Sequence, residues 1–274
     1  MNKKGPIGVF DSGYGGLTVL SEIVKQLPEY DYLYLGDNAR APYGTRSFEV
    51  VYEYTLEAVM ELFSRGCKLV VIACNTSSAK ALRSIQQNDL PKIDSKKRVL
   101  GVIRPSTEVI GDLSKTGHVG ILATEGTVKS ESYVIELKKF SPATTVVQHA
   151  CPMWVPLIEN NRHESEAGKL FIQEDIQLLL NKDPKVDVIV LACTHYPILK
   201  KYIESIVPPS IQIISQGKIV AEKLSEYLQK HTELEKSCSK NRGIHFLTTE
   251  NSIDFNRKAS MFFGKAIQSE HIKL

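Results

Sequence analysis

Two cysteines stand at matching places in two similar apolar runs. Residues 69–76 read LVVIACNT and residues 188–195 read VIVLACTH, so Cys74 and Cys193 each end an apolar strand and precede a polar turn. In open α/β sheets, ligands bind beyond the carboxyl ends of the strands. A thiol at that place lies near the N-terminus of the next helix, whose dipole favours the thiolate. The alternative is a core residue at each strand end, but the matched pair favours two reactive thiols.

Polar side chains that could assist these thiols follow the same strands. His195 lies just beyond Cys193, where it could activate a nucleophilic thiol or tune a thiol that acts as an acid. Asn75 and Thr76 could cap the first helix or donate hydrogen bonds to a bound anion. Thr194 and His195 take the same places in the second run. Both turns are therefore candidate anion-binding segments.

A glycine-rich turn, DSGYGG at residues 11–16, follows the first predicted strand. A dinucleotide loop with the pattern G-x-G-x-x-G would need glycine where Thr18 stands, and Asp11 and Ser12 would crowd the pyrophosphate. The sequence contains no G-x-x-x-x-G-K-[ST] loop either. The segment therefore predicts a tight turn that presents Asp11 and Ser12 to the site.

The remaining three cysteines have no counterpart in the other half of the chain. Cys67 and Cys151 are predicted to be packing residues, and Cys238, in a polar segment, is expected to be exposed and inert. Five unevenly spaced cysteines do not suggest a disulfide framework, and without a C-x-x-C pair no structural zinc site is expected. Glu159 is a further, weaker candidate for the site, since a solvated surface Glu would look the same.

The elements that must position these residues alternate between strand and helix. Alternation of this kind predicts α/β layers around mostly parallel sheets. Residues 8–12 and 120–124 resemble one another just as the two cysteine runs do, so two similar α/β halves are expected. The predicted strands are 7–10, 32–35, 68–73, 99–103, 118–123, 146–149, 186–192, 211–214 and 244–248. The predicted helices are 17–26, 48–65, 76–86, 128–139, 164–180, 199–206, 220–229 and 252–263, with 231–240 as a loop.

Composition and charge are those of an ordinary globular protein. The 274 residues are 42% apolar and 24% charged, with a net charge of +3, which gives no reason to expect a nucleic-acid or membrane partner. The apolar run at residues 7–10 stops at Asp11, too soon for a signal peptide. No stretch approaches the roughly 18 apolar residues that span a bilayer. We therefore expect a cytoplasmic protein.

Several segments, taken in order along the chain, resemble the glutamate racemases of the aspartate/glutamate racemase superfamily. The Cys-Asn-Thr and Cys-Thr-His-Tyr-Pro motifs together are highly specific. The matching segments run through about the first 200 residues: FDSGYGG at 10–16, YLGD at 34–37, RAPYG at 40–44, ACNTSS at 73–78, LAT at 122–124, CP at 151–152, VPLIE at 155–159 and ACTHYP at 192–197.

The resemblance implies two pseudo-symmetric α/β domains with mostly parallel sheets and the active site at the domain interface. The first domain would be discontinuous, formed by residues 1–99 plus 214–274, and the second would be residues 100–213. The implied reaction is the interconversion of L- and D-glutamate without a cofactor or a metal. The enzyme would supply D-glutamate for peptidoglycan synthesis and act as a homodimer.

The resemblance also implies roles for individual residues. Cys74 would take the α-proton from D-glutamate with help from Asp11, and Cys193 would take it from L-glutamate. His195 and Glu159 would assist Cys193. Because these motifs contain no Lys or Arg apart from Arg40, hydroxyls, amides and backbone N–H groups would mainly hold the substrate carboxylates. The implied substrate contacts are Asp11, Ser12, Tyr43, Gly44, Asn75, Thr76, Thr124, Thr194 and His195.

Two segments depart from the family's usual pattern. Glycine often follows the proline where Arg104-Pro105-Ser106 stands, and an Asp-Ser pair is common near Ser215-Gln216-Gly217. Both segments lie outside the cysteine motifs, so they put subunit packing and domain contacts in doubt rather than the chemistry. Three alternatives stay open: an aspartate racemase, which residues 34–44 disfavour, a thiol hydrolase that uses only Cys193 and His195, and a binding protein without catalysis.

Overall fold

The computed structural model describes residues 4–274, in which strands and helices alternate throughout. The strands are β1 (Ile7–Asp11), β2 (Tyr32–Gly36), β3 (Leu69–Ile72), β4 (Arg98–Gly101), β5 (His118–Ala123), β6 (Thr145–Ala150), β7 (Val188–Ala192), β8 (Gln212–Ser215), β9 (Ile244–Thr248) and β10 (Ser269–His271). The helices are α1 (Gly16–Gln26), α2 (Phe48–Ser64), α3 (Asn75–Lys80), α4 (Leu82–Ser84), α5 (Leu90–Ile93), α6 (Ile103–Leu113), α7 (Glu125–Lys129), α8 (Ser132–Phe140), α9 (Trp154–Glu159), α10 (Glu166–Lys182), α11 (Lys200–Ile206), α12 (Gln216–Lys230), α13 (Thr232–Lys236) and α14 (Ser252–Phe263).

The strands form two sheets, and every strand pair within residues 4–274 is parallel. The first sheet has the order β10-β9-β2-β1-β3-β4 and the second has the order β6-β5-β7-β8. The run β2-β1-β3-β4 therefore matches β6-β5-β7-β8 strand for strand. This matching order confirms the prediction of two pseudo-symmetric α/β halves with parallel sheets. The predicted domain limits after residues 99 and 213 fall inside β4 and β8.

The central strands read as unbroken apolar runs because helices cover both of their faces. All residues of β1, β3 and β7 are buried, as is typical of parallel sheets. Val9 belongs to a core cluster with Leu20 of α1, whereas the next residue, Phe10, belongs to a second cluster with Val59 of α2. Successive side chains of a strand point to opposite faces. The two cores thus fix the strand, and with it the position of the turn that follows.

Some helices differ from their predicted extents. The helix predicted at 76–86 is interrupted, because α3 ends at Lys80 and a π-helical turn covers Ile85–Asp89. Helix α6 was not predicted, and it contains Pro105. Here it lies in the first turn, where a backbone N–H has no partner in the helix to lose. The predicted loop at 231–240 is also wrong, because it contains α13.

Within the described residues 4–274, none of the helices combines the length and apolarity needed to cross a membrane.

Candidate active site

A cavity of about 160 Å³ lies where the carboxyl ends of the two sheets face one another. Cys74 enters it from the first sheet and Cys193 from the second, and each is 6% exposed. The register explains this placement. β1 pairs with β3 as far as Phe10 and Ile72, so the turns after these two strands lie at one edge of the first sheet. β5 pairs with β7 as far as Ala123 and Ala192, so the turns after those two strands lie at one edge of the second sheet.

Nearly all of the site residues expected from the sequence line this cavity. Asp11 is the exception: it is fully buried behind the cavity wall. The residues that the structure brings together are Ser12, Tyr43, Gly44, Cys74, Asn75, Thr76, Thr124, Glu159, Cys193, Thr194 and His195.

Asp11 joins the two turns from behind the cavity wall. Its Oδ2 accepts a hydrogen bond from the Gly13 N–H at 2.9 Å, and its Oδ1 accepts one from Thr194 Oγ1 at 3.3 Å. Burial raises the pKa of Asp11 above its ordinary value, and the nearby charge of His195 opposes that rise. Asp11 thus supports the glycine-rich turn and Thr194.

Cys74 caps helix α3 with its own sulfur. The Ser77 N–H donates to Sγ at 3.4 Å, and Ser12 Oγ lies 3.5 Å from Sγ. Burial, followed by the charge of Asp11, raises the pKa of Cys74 to about 11, although the hydrogen bonds from Ser12 and Ser77 lower it. The expected thiolate is therefore not favoured here, because α3 is a short helix and burial outweighs its dipole. Cys74 is a thiol at neutral pH.

Cys193 has a different neighbour, the imidazole of His195. His195 Nε2 lies 2.9 Å from Glu159 Oε1, and the ring is 5% exposed. Burial opposes a charge on the ring, but hydrogen bonds with Cys193 and Glu159 outweigh it and raise the pKa of His195 to about 10. This shift favours the charged form of the ring, which lies beside Cys193. Phe262 of α14 packs edge-on against it, with ring centroids 5.1 Å apart.

Hydroxyls and backbone groups connect the two halves around the cavity. Thr76 Oγ1 and Thr124 Oγ1 are 2.9 Å apart, and the Gly126 N–H donates to the Gly44 carbonyl at 2.8 Å. The Tyr43 hydroxyl donates to the carboxylate of Asp37, and burial with that carboxylate raises the pKa of Tyr43. The Tyr43 hydroxyl can therefore offer a ligand only an acceptor, because its one proton is given to Asp37.

The glycine-rich turn allows the two halves to approach closely. A Cβ on Gly15 would lie 2.3 Å from Thr194 Oγ1 and 2.5 Å from His195 Nδ1, and a Cβ on Gly16 would lie 2.4 Å from Asp11 Cβ. Thr18 Oγ1 also donates to the Thr194 carbonyl at 2.9 Å. Gly15 thus makes room for the partner turn and Gly16 for Asp11 of its own turn, which supports the expectation of a tight turn rather than a dinucleotide loop.

Comparison with known proteins identifies the family. The model of the Asp/Glu/Hydantoin racemase family matches residues 7–224. Glutamate racemase from Geobacter metallireducens is 39% identical over 259 residues, which cover 94% of this chain and 92% of that protein. The chain belongs to the glutamate racemase family. Glutamate racemase from Streptococcus agalactiae is 37% identical over 98% of both chains.

Solved structures of the family share the fold of this racemase. Glutamate racemase isoform RacE1 from Bacillus anthracis superposes with a TM-score of 0.90 at 34% identity, over 99% of this chain and 98% of that one. The glutamate racemase from Francisella tularensis, solved with D-glutamate, has a TM-score of 0.87 at 30% identity over 98% of both chains. The chain is therefore an amino-acid racemase, an isomerase, and the resemblance seen in its motifs is confirmed.

One group of side chains in this racemase has the donor types of a metal site. Within residues 4–274, ligand atoms of His149, Cys151 and Asp175 lie within 4.8 Å of one another. The two oxygens of Asp175 are already engaged, because His149 Nε2 and Trp154 Nε1 each lie 2.7 Å from one of them. These side chains satisfy one another, so the arrangement is that of a closed polar cluster beside the cavity.

The three cysteines without counterparts are all buried. Burial agrees with the packing roles predicted for Cys67 and Cys151, although Cys151 also lines the cavity. The prediction of an exposed Cys238 is wrong, since the residue is 1% exposed. Its Sγ contacts the Leu234 carbonyl at 3.4 Å, and its backbone forms a bridge with Gly5. The polar residues around Cys238 suggested an exposed side chain, because the sequence does not show that α13 and the segment around Gly5 cover it.

Sequence reasoning missed a buried polar group behind Asn75. Ser106 of α6, Tyr133 of α8 and Gln216 of α12 form hydrogen bonds with one another or with Asn75. Ser106 and Gln216 belong to the two segments that depart from the family's usual pattern. The two departures from the family's pattern were thus visible in the sequence, but nothing there showed that they lie close together in the fold.

Proposed function

We propose that this racemase interconverts L- and D-glutamate without a cofactor, with Cys74 and Cys193 as opposed acid and base. Cys74 takes the α-proton from D-glutamate, and Cys193 takes it from L-glutamate. The observation that carries the proposal is the pair of thiols that enter one small cavity from two matching sheets. Inverting a stereocentre by proton transfer needs a base on one face of Cα and an acid on the other.

The surroundings of the two thiols suit opposite protonation states. With L-glutamate, a thiolate at Cys193 removes the α-proton, and the Cys74 thiol donates a proton to the opposite face. This turnover leaves Cys193 as a thiol and Cys74 as a thiolate, which is the state required to start from D-glutamate. The charged His195, held by Glu159, assists Cys193. Asp11 assists Cys74 through the turn that it supports.

Neutral donors bind the substrate in this proposal. The described residues that line the cavity include no Lys or Arg. Hydroxyls of Ser12, Thr76, Thr124 and Thr194, the amide of Asn75 and the backbone at residues 43–44 are available to hold the carboxylates. The α-proton is only weakly acidic, so the rate must come from positioning and from electrostatic stabilisation of the carbanion in a closed site.

We extend the proposal in three ways that rest on the resemblance to the family. The domains are residues 1–99 plus 214–274 and residues 100–213. The enzyme acts as a homodimer in the cytoplasm. Its D-glutamate serves peptidoglycan synthesis.

Exchange of the α-proton with solvent tests the mechanism and the substrate together. The purified protein, dialysed against EDTA, is incubated with L-glutamate in D2O while optical rotation and α-deuterium are followed by NMR. We expect racemisation with deuterium uptake in the wild type, and loss of net racemisation in both Cys74→Ser and Cys193→Ser. Cys67→Ser, which changes a buried thiol outside the cavity, is the matched control and should remain active.

Two outcomes would contradict the proposal. A wild type that exchanges aspartate but not glutamate would mean that the substrate is wrong. Full activity of Cys74→Ser would mean that the second thiol is not needed, and would return the thiol-hydrolase alternative.

A further inference from the structure

Three buried side chains close a ring of hydrogen bonds behind the cavity. Asn75 Nδ2 donates to Gln216 Oε1 at 2.8 Å, Gln216 Nε2 donates to the Tyr133 hydroxyl at 2.6 Å, and that hydroxyl donates to Asn75 Oδ1 at 2.6 Å. Asn75 is 2% exposed, Tyr133 is 0% exposed and Gln216 is 4% exposed. Each group in the ring donates once and accepts once, so the ring has a single direction.

A fourth residue fixes that direction. Gln216 Nε2 also donates to Ser106 Oγ at 2.7 Å, and Ser106 Oγ in turn donates to the Val102 carbonyl at 2.7 Å. Because the Ser106 hydroxyl gives its proton to a carbonyl, it can only accept from Gln216. Gln216 therefore presents its nitrogen to Ser106 and Tyr133 and its oxygen to Asn75. The orientation of the Asn75 amide follows from this chain of donors.

The ring leaves one group of Asn75 unused. Its Oδ1 accepts from Tyr133, and one N–H of Nδ2 is given to Gln216. Among the described residues, the second N–H of Nδ2 has no acceptor, and Asn75 is part of the cavity wall. An asparagine amide that is free to flip could present either an oxygen or a nitrogen to a ligand. Here the oxygen is held inside, so what the amide can offer the cavity is a donor.

We propose that Gln216 and Tyr133 are positioning residues, which hold the Asn75 amide so that its free N–H binds a carboxylate of the substrate. This inference rests on the proposed function, because it assumes an amino-acid substrate in the cavity. Ser106 acts one step further back by fixing Gln216. The ring also links elements of both halves, since Asn75 follows β3 of the first sheet and Tyr133 lies on α8, between β5 and β6 of the second sheet. The two departures from the family's pattern thus form one unit that acts on a substrate contact.

The test is a double-mutant cycle between Tyr133 and Asn75. Tyr133→Phe removes one hydroxyl and should raise KM for both enantiomers about tenfold, with a smaller change in kcat, because one hydrogen bond to the carboxylate is misplaced. In the Asn75→Ala background, Tyr133→Phe should change KM less than about twofold, since its effect passes through Asn75. A purely structural role would give the same change in both backgrounds.

Tyr32→Phe is the matched control. Tyr32 is also fully buried, and its hydroxyl donates to the Leu27 carbonyl at 2.6 Å, away from the cavity. This variant should lower Tm without changing KM. Should Tyr133→Phe fail to fold, Ser106→Ala takes its place with an expected rise in KM of about threefold.

Two results would overturn the inference. The first is an active wild type in which Tyr133→Phe leaves KM unchanged, or raises it equally with and without Asn75; this removes the positioning role alone. The second is a wild type that does not racemise glutamate, which removes the proposed function and this inference together.

Discussion

The contact between the two site turns can be tested by adding one methyl group. In Gly15→Ala, the new carbon would lie 2.3 Å from Thr194 Oγ1 and 2.5 Å from His195 Nδ1, whereas ordinary contact begins at 3.4 Å. Neither neighbour is free to move. Thr194 donates to Asp11, and His195 is held by Glu159. The turns must therefore separate by about 1 Å, a displacement that can lower a rate about a hundredfold.

Backbone strain does not confuse the interpretation of Gly15→Ala. Gly15 has φ −59° and ψ −35°, a right-handed helical conformation that alanine adopts as readily as glycine. The same turn also offers a matched control, Gly13→Ala. A Cβ on Gly13 would lie 3.6 Å from Asn38 Nδ2 and 3.9 Å from Glu159 Oε1, which are ordinary contacts. We expect Gly13→Ala to keep kcat within about threefold of the wild type.

Initial rates of glutamate racemisation in both directions give the comparison, with Tm and near-UV circular dichroism as checks of folding. A folded Gly15→Ala with about one hundredth of the wild-type kcat, beside an active Gly13→Ala, would support the close contact as a requirement of catalysis. Equal activity of the two variants would refute the reasoning, because the distances predict a large difference between neighbouring positions.

Two further predictions concern the charge at His195 and the buried thiol at Cys67. Glu159→Gln keeps an oxygen that can accept from the ring but removes the negative charge beside it, so the pKa of His195 should fall below about 10 and the ring should lose its proton at a lower pH. Titration by ¹⁵N NMR of labelled histidine from roughly pH 6 to about pH 11.5, which brackets both midpoints, measures this, and an unchanged midpoint would contradict it. Cys67→Ser places a hydroxyl in a fully buried apolar position and should lower the free energy of unfolding by about 1–3 kcal/mol, measured in urea, without loss of kcat. A stable but inactive variant would show that Cys67 has a role beyond packing.

Local patterns in the sequence were enough to predict most of the fold and the position of the two thiols. The apolar runs around Cys74 and Cys193 predicted strands, because a parallel sheet buries both faces of its central strands. The similarity of those runs predicted matching topology, and the sheets have it. The glycine-rich turn at residues 11–16 was also predicted in outline, because the spacing of its glycines excludes a dinucleotide loop.

Contacts between distant parts of the chain could not be predicted in the same way. The Thr76–Thr124 and Asn75–Gln216 hydrogen bonds join residues 48 and 141 positions apart, and no periodicity indicates such partners. Burial of Cys238 depends on a bridge to Gly5, at the other end of the chain. The high pKa of Cys74 likewise depends on the burial of its sulfur and on the charge of Asp11, whereas the sequence indicated only the helix N-terminus that opposes the rise.

The proposed mechanism needs two matching halves and, at the same time, different surroundings for the two thiols. Two matching sheets place equivalent thiols on opposite sides of one cavity, which suits a substrate whose two enantiomers differ in the face that carries the proton. Each turnover also begins with one thiolate and one thiol. The surroundings differ: Ser12 and buried Asp11 lie near Cys74, whereas a charged His195 lies near Cys193. In this proposal the repeat supplies the geometry, and the residues that break the repeat give the two thiols different partners.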